Sequence, residues 1–200
     1  MTSSSTPAPS PREVPAPSPR VGGPSQLAGL AAGLGAVASA IAGAIQATRP
    51  TDTDPLIDGG EHVGLTLVAL ALVLWIPGYL RLTDGTSRVG RAGGVAAAIG
   101  CALLAFGMTA TNLHGQDYSW FPAVAVPANL LWLVGSILLA VGTWRARTLP
   151  KPLAAALPVI WLTSIILSQL GGNLIAGALW GVLAYRMATA RDRVAAQRLG

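Results

Sequence analysis

The sequence predicts an all-α fold: a polytopic bundle of six transmembrane helices, with both ends of the chain in the cytoplasm. Three observations lead to this prediction. Hydrophobic residues make up 52% of the chain, whereas charged residues make up only 10%. The apolar residues gather in six segments, and the basic residues gather in the connections on one side of those segments. Length and charge placement therefore agree on one topology.

The overall composition argues against an ordinary soluble domain. Soluble domains carry about 25% charged residues, well above the fraction in this chain. The net charge of +5 and the pI of about 10.4 are high enough to suggest a nucleic-acid partner. The positions of the basic residues explain this charge better as a mark of membrane topology, so no nucleic-acid partner is expected.

Residues 1–26 are predicted to form a disordered, Pro/Ser-rich cytoplasmic tail. The hexapeptide Pro-Ala-Pro-Ser-Pro-Arg occurs twice, at residues 7–12 and 15–20. Each proline fixes φ and lacks an amide hydrogen, which prevents a helix or a central strand. An extended, polyproline-like segment is expected instead. The sequence leaves two interpretations open, a solvated tether or a docking site for a protein partner.

Six apolar segments follow the tail and make up a transmembrane domain at residues 27–186. A helix needs about 20 residues to cross a hydrocarbon core of about 30 Å. The first four segments have this length, whereas the last two are shorter. The predicted spans are residues 27–47, 62–80, 93–112, 123–144, 153–168 and 172–185.

The last two segments are predicted to be a helical hairpin. A single helix over residues 153–185 would be about 50 Å long at 1.5 Å per residue, too long even for a tilted span. Gly171 and Gly172 together are a poor helix interior and a good turn. A re-entrant pair that turns back inside the protein is the alternative.

Charge placement supports six spans and fixes their direction. Short cytoplasmic loops collect Arg and Lys, and 12 of the 13 basic residues fall on one side of this topology. Arg49 alone falls on the other side. Merging the last two spans would move four arginines of residues 186–200 outside. Residues 187–200 are therefore predicted to be a basic cytoplasmic tail that holds to the inner leaflet, and the sequence also allows them to continue the sixth helix.

The first apolar segment also allows a different interpretation. Residues 27–37 followed by Ala38-Ser39-Ala40 resemble the apolar core and cleavage site of a signal peptide. Cleavage there would leave five spans and an external N-terminus. The long preceding tail and the continuation of the apolar run favour an intact first span.

Small residues at four-residue spacing predict where the helices approach one another. In lipid, close backbone contact replaces the hydrophobic drive that assembles soluble helices. The first span is so rich in Gly and Ala that it is expected to pack centrally. These residues form either a homo-oligomer interface or contacts within one chain. The predicted packing positions are Gly29, Gly33, Gly35, Ser39, Gly43, Gly177 and Gly181, with Gly90, Gly94 and Ala98 in the third span.

Polar side chains concentrate near the predicted outer ends of the spans, and no ionisable group lies near a midplane. A buried charge is the usual mark of a pump or a proton-coupled transporter, so the pattern argues against both. The outer polar residues either line a vestibule for a small polar ligand or ion, or act as helix caps. They are Glu61, His62, Asn112, His114, Asn129, Gln169 and Asn173.

No catalytic, nucleotide-binding or metal-binding motif is present in the sequence, so no cofactor and no catalytic residue are predicted. His62 and His114 are the only histidines, too few and too loosely spaced for a diagnostic zinc or haem site. Cys101 is the only cysteine and lies within an apolar run, where it is expected to be a small buried side chain.

The chain resembles the small, uncharacterised multi-pass membrane proteins of GC-rich bacteria. The resemblance lies in the GxxxG-rich first span and in the Arg-Ala-Arg-x-Leu-Pro connection at residues 145–150. It implies a location in the bacterial cytoplasmic membrane but no activity. The leading hypothesis is a non-enzymatic membrane protein that associates with partners. A permease component with an outward vestibule and a haem or redox membrane protein are the alternatives.

Overall fold

The computed structural model describes residues 23–49, 57–116 and 118–197, and these ranges contain helices and no strands. The all-α prediction is confirmed, and the number of helices in this part of the chain is the predicted six. A single turn of 3-10 helix, Ser168–Leu170, separates the last two. The helices are α1 (Pro24–Thr48), α2 (Gly59–Leu82), α3 (Arg88–His114), α4 (Phe121–Ala146), α5 (Lys151–Ile165) and α6 (Gly172–Gln197).

The helix ends differ from the sequence boundaries by a few residues for local reasons. Helix α1 begins at Pro24, because proline suits a first turn whose amides have no helical partner. Helix α2 begins earlier than predicted because Asp58 and Glu61 form a capping box. Helix α6 continues through residues 187–197, as the sequence allowed for the C-terminal tail. The predicted Pro-rich tail lies outside the described residues, apart from residues 23–26.

The turn between α5 and α6 requires glycine. Gly171 has a φ of +76°, a left-handed conformation that glycine adopts without the steric penalty of a Cβ. Its amide donates to the Ser168 carbonyl, and the Gly172 amide donates to the Leu167 carbonyl. A Cβ at Gly172 would collide with the Thr163 carbonyl. The predicted break between the fifth and sixth segments is confirmed.

The six helices form a closed ring. Each packs against its neighbours along the chain, and α6 returns to pack against α1. Helices α1 and α6 run antiparallel, since Gly29 lies against Ala184 and Ala188 while Gly43 lies against Asn173 and Leu174. Small residues allow this contact: a Cβ at Gly177 would lie only 2.6 Å from the Ala36 carbonyl oxygen.

The other predicted packing glycines have mixed environments. Gly33 lies against Ala184 of α6, and Gly35 lies against the Trp75 ring of α2. Ser39 is fully buried between α1 and α6. Gly181 differs from the rest, because nothing lies within 4 Å of the position that its Cβ would occupy.

Helices α3 and α4 make a second close pair. Gly93 and Gly100 of α3 lie against α4, and Gly135 and Gly142 of α4 lie against α3. A Cβ at Gly135 would lie 2.5 Å from the Ala97 amide nitrogen, and one at Gly142 would lie 2.5 Å from the Cα of Gly90. The glycines of α4 were not predicted as packing residues. Their seven-residue spacing was the available signal, since seven residues make two helical turns.

Aromatic side chains fill the interior of the ring. Trp75 of α2 stacks on Trp180 of α6 with ring centroids 5.4 Å apart, and Trp132 of α4 lies 6.2 Å from Trp75. Tyr79 meets Trp180 edge to face and accepts a 2.7 Å hydrogen bond from the Trp132 indole. We call these four residues the aromatic cluster. All are buried, so the cluster ties α2, α4 and α6 together.

Large apolar side chains face outward. In α1 the large residues are exposed, while alanines such as Ala32 and Ala36 face α2 and α6. The expectation that α1 packs centrally is therefore wrong. Its small residues form the face that contacts α2 and α6, and its opposite face is exposed. The exposed side chains of α1 are Leu27, Leu30, Leu34, Val37 and Ile41.

Four of the described helices are long and apolar enough to cross a membrane. They are α1 to α4, with apolar stretches of 23 to 27 residues. Helix α5 is apolar but has only 15 residues. Helix α6 has 26 residues, and its apolar part ends near Tyr185.

Candidate functional site

The predicted outer polar residues join neighbouring helices in pairs. Between α2 and α3, the Nδ1 of His62 lies 2.5 Å from the Oδ1 of Asn112. The Asn112 Nδ2 donates to the Thr66 hydroxyl at 2.8 Å and to the His62 carbonyl at 3.3 Å. Because the amide nitrogen is occupied as a donor, the histidine carries its proton on Nδ1 and donates it to Oδ1. His62 and Asn112 thus connect two helices.

A second pair connects α4 to α5. The Trp161 indole donates to the Asn129 Oδ1 at 3.0 Å. The Asn129 Nδ2 donates to the Ala125 carbonyl one turn earlier, at 2.9 Å. That second bond fixes the amide orientation, so Asn129 presents its oxygen to the neighbouring helix.

A third pair connects α1 to α6. Asn173 is only 2% exposed, and its Nδ2 donates to the Gln46 Oε1 at 2.9 Å. The Ser39 hydroxyl donates to the Asn173 carbonyl at 2.9 Å. Ser39 therefore serves both as a small packing residue and as a hydrogen-bond donor between helices.

The remaining three residues of the predicted vestibule lie at the same end. Glu61 takes part in the capping box of α2, 3.9 Å from Arg49. His114 is exposed and stacks on Tyr118 at 4.0 Å. Gln169 is exposed on the turn between α5 and α6. Among the described hydrogen bonds of His62, Asn112, Asn129 and Asn173, none joins one of these polar pairs to another, so a shared vestibule stays a prediction.

Asp58 and Arg49 form the strongest charge contact at this end. The two guanidinium nitrogens donate to the two carboxylate oxygens at 2.6 Å each. The hydrogen bond from Arg49, helped by the Glu61 amide, holds the pKa of Asp58 well below its ordinary value of 3.8. Arg49, the one basic residue assigned to the outside, therefore carries a carboxylate partner.

Potential metal ligands do not cluster in the described part of the chain, where no three His, Cys, Asp or Glu side chains lie together. His62 directs its Nδ1 at Asn112, and His114 directs its Nδ1 at the Gln116 carbonyl. Cys101 is a buried free thiol.

The opposite end of the ring is basic and holds a cavity of about 360 Å³. The cavity lies where the end of α2, the connection between α4 and α5, and the second half of α6 meet. Arg81 and Arg186 line it, and Arg81 bonds to Asp84. We call it the inner cavity. Its other lining residues are Leu82, Asp84, Thr148, Leu149, Pro150, Leu183, Met187 and Thr189.

A second cavity of about 460 Å³ shares Leu149 and Pro150 with the first. It adds three cations from one short stretch of chain, Arg145, Arg147 and Lys151. The Lys151 ammonium lies 5.8 Å from the Trp144 ring centroid, within cation–π range. Two cavities therefore flank one connection, each with basic side chains.

Sequence reasoning missed these cavities. It used Arg81, Arg145 and Arg186 to assign topology. It could not show that the end of α2, the connection between α4 and α5, and the second half of α6 lie next to one another. The available signal was the concentration of basic residues in the loops that the sequence predicts to be cytoplasmic. Comparison with known proteins adds no further indication: no family model, no curated protein and no solved structure matches the chain.

Proposed function

We propose that this chain is a multi-pass protein of the bacterial cytoplasmic membrane, with six transmembrane helices and both ends in the cytoplasm, and that it acts without catalysis by associating with partners. The observation that carries the proposal is the arrangement of side-chain sizes. In the part of the chain that the structure describes, small residues lie at the helix contacts and thirty large hydrophobic side chains are exposed. Soluble monomers rarely expose contiguous apolar patches above a few hundred Å².

Six spans rather than four are supported by the position of the hairpin turn. Gly171 lies against Ala47, near the end of α1. At the other end of the ring, Leu149 and Pro150 share a cavity with Arg81, near the end of α2. The hairpin of α5 and α6 therefore covers the depth of the long helices although α5 is short. A bilayer that thins locally accommodates a short helix at modest cost.

Association is favoured over transport by the filled interior. A permease needs a polar path or a changeable cavity near the middle of its helices. Here the aromatic cluster occupies the interior, and Trp75, Trp132 and Trp180 are each at most 1% exposed. Such a packed centre suits a rigid body that presents its outer surface and ends to partners. The exposed face of α1 is available to a second copy of the chain or to another membrane helix.

The membrane assignment is tested by fractionation. We expect the full-length protein to stay in the membrane pellet after an alkaline carbonate wash and to enter solution only with detergent. A protein that is monodisperse in buffer without detergent would contradict the membrane assignment, on which the rest of the proposal depends.

The mode of action is tested by comparing the full chain with a variant that lacks residues 1–22, which leaves Pro24 and the start of α1 intact. Site-specific crosslinking in cells is expected to give a defined adduct with the full chain and to lose it with the shortened one. Uptake of small polar solutes by reconstituted vesicles, lost in Asn129→Leu, would instead favour a permease component. A Soret band lost in His62→Ala would favour a haem protein.

A further inference from the structure

The inner cavity combines two chemically different sets of side chains, apolar and cationic, and it also contains one carboxylate, Asp84, which bonds to Arg81. Leu82, Leu183 and Met187 are apolar and buried. Arg81 and Arg186 carry guanidinium groups, the side chains best suited to phosphate because they donate hydrogen bonds in pairs. A ligand that satisfies both sets has an anionic oxygen-rich group and an adjacent apolar part. The volume of about 360 Å³ lies in the range of roughly 300–1,000 Å³ typical of ligand sites.

The charge at this end is poorly neutralised by the protein itself. Seven basic side chains belong to the described part of this end, while Asp84 is the one acidic side chain described there. Arg81 bonds to Asp84, but Arg186 forms no ion pair with any described acidic residue. An anionic ligand would therefore meet an uncompensated positive field. The seven are Arg81, Arg88, Arg91, Arg145, Arg147, Lys151 and Arg186.

The backbone of Arg147 gives an independent indication. Arg147 ends α4 with a φ of 56°, and it is the one residue other than glycine with positive φ in the described ranges. Glycine is the usual residue at such a position, because a Cβ is disfavoured there. Strained positions persist where surrounding structure or function demands the side chain. The guanidinium of Arg147, which lines the second cavity, supplies such a reason.

We propose that the two cavities flanking Leu149 and Pro150 form one binding site for the phosphate headgroup of an anionic phospholipid of the inner leaflet. The cations of both cavities bind the phosphate oxygens, and the apolar lining of the inner cavity contacts the start of the acyl chains. The proposal rests on the six-span topology, which puts this end at the cytoplasmic headgroup level. Basic pockets at that level are where anionic lipids bind other membrane proteins.

Binding is tested with the full-length protein in a neutral detergent, by native mass spectrometry and by the shift in unfolding temperature. The probes are dioctanoyl phosphatidylglycerol, dioctanoyl phosphatidylcholine and inorganic phosphate. We expect phosphatidylglycerol to bind at least about ten-fold more tightly than phosphatidylcholine. The headgroup of phosphatidylglycerol is anionic, whereas the choline cation of phosphatidylcholine neutralises its phosphate. Phosphate that protects as well as phosphatidylglycerol at equal concentration would assign the site to a free anion and overturn the lipid proposal.

Variants locate the site. Arg186→Gln is expected to weaken phosphatidylglycerol binding about ten-fold, because it removes a charged donor from the inner cavity. Arg88→Gln removes an exposed cation from the same end but from neither cavity, and it should change binding by less than about two-fold. Equal losses in both variants would show only a diffuse attraction between charges and would overturn a defined site.

Arg147→Gly separates a binding role from a structural one. Glycine relieves the left-handed conformation, so without added lipid the variant is expected to unfold at a higher temperature than the natural chain. With phosphatidylglycerol present, it should show a smaller stabilising shift than the natural chain. Unchanged lipid stabilisation would overturn the role given to Arg147.

Failure of this inference differs from failure of the membrane proposal. A protein that keeps its carbonate-resistant membrane location and six-span topology but shows no preference for phosphatidylglycerol disproves only the lipid site. A protein that leaves the membrane on washing disproves the underlying topology.

Discussion

The hydroxyl group of Tyr79 links α2 to α4. Its oxygen accepts from the Trp132 indole at 2.7 Å and lies 3.4 Å from the Ser136 hydroxyl. Ser164 offers a contrast, because its buried hydroxyl has no hydrogen-bond partner among the described residues. The hydroxyl groups of Tyr79 and Ser164 should therefore contribute differently to the free energy of unfolding.

Tyr79→Phe is expected to lower the free energy of unfolding by about 1–3 kcal/mol, because it leaves the buried Trp132 indole without its acceptor. The measurement is unfolding in mixed micelles with increasing denaturing detergent. Ser164→Ala, which also removes one buried oxygen, is the control and should be neutral or slightly stabilising. Equal effects in the two variants would show that the hydrogen bond of Tyr79 contributes nothing.

Asp58 gives its end of the ring a defined response to acid. Its folded pKa lies below the ordinary 3.8 because of Arg49. Its contribution to stability is therefore complete above that value and is lost as the pH falls through the lowered folded pKa. Between about pH 5 and about pH 3, the natural chain should lose more stability than Asp58→Asn, which has no carboxylate to protonate. Parallel pH profiles for the two proteins would contradict this assignment.

At the scale of helices, contact between small residues holds the ring together. Gly177 and Gly181 lie one turn apart on α6 and share a helical backbone, yet their surroundings differ. A Cβ at Gly177 would meet the Ala36 carbonyl oxygen at 2.6 Å and the Ala40 amide nitrogen at 2.9 Å. A Cβ at Gly181 would meet nothing within 4 Å.

Gly177→Ala is expected to lower the free energy of unfolding by about 1–3 kcal/mol, because α1 and α6 must separate to admit the methyl group. Gly181→Ala should raise it by up to about 1 kcal/mol, since alanine favours the helix. Both are measured by unfolding in mixed micelles. Destabilisation of similar size at both positions would mean that α6 packs differently from the described ring.

Hydrogen bonds made by side chains also join neighbouring helices. Ser39 with Asn173, His62 with Asn112, and Asn129 with Trp161 each join one helix to a neighbour. Such bonds in a membrane contribute about 0.6 kcal/mol on average. They therefore set the register of neighbouring helices more than they supply the stability of the ring.

For the whole molecule, the number of spans decides which connections reach each side of the membrane. Starting from Cys101→Ala, single cysteines are introduced by Pro55→Cys, Gln116→Cys, Leu170→Cys and Ala195→Cys. We expect an impermeant maleimide to label the first three in intact cells, and the last only after permeabilisation.

Leu170→Cys is the decisive position, because it lies on the turn between α5 and α6. With six spans this turn faces outward. If only α1 to α4 cross the membrane, position 170 stays unlabelled in intact cells while positions 55 and 116 are labelled. Labelling of position 195 in intact cells would overturn the cytoplasmic placement of the C-terminus.

The sequence by itself determined the fold class, the six helices and the break between α5 and α6. Apolar length, glycine pairs and capping residues are local properties, so a single chain reveals them. It also identified polar residues such as His62, Asn129 and Asn173 without naming their partners. Those partners lie up to 134 positions away in the chain, as for Asn173 and Ser39.

Only the tertiary structure decided which face of each helix points inward. In a soluble helix a polar stripe marks the exposed side, but here the outward-facing and the inward-facing sides are both apolar. The pattern therefore said little about α1, whose large side chains point outward, or about Gly135 and Gly142. The aromatic cluster and the inner cavity each combine residues from three separate segments, and only the closure of the ring brings those segments together.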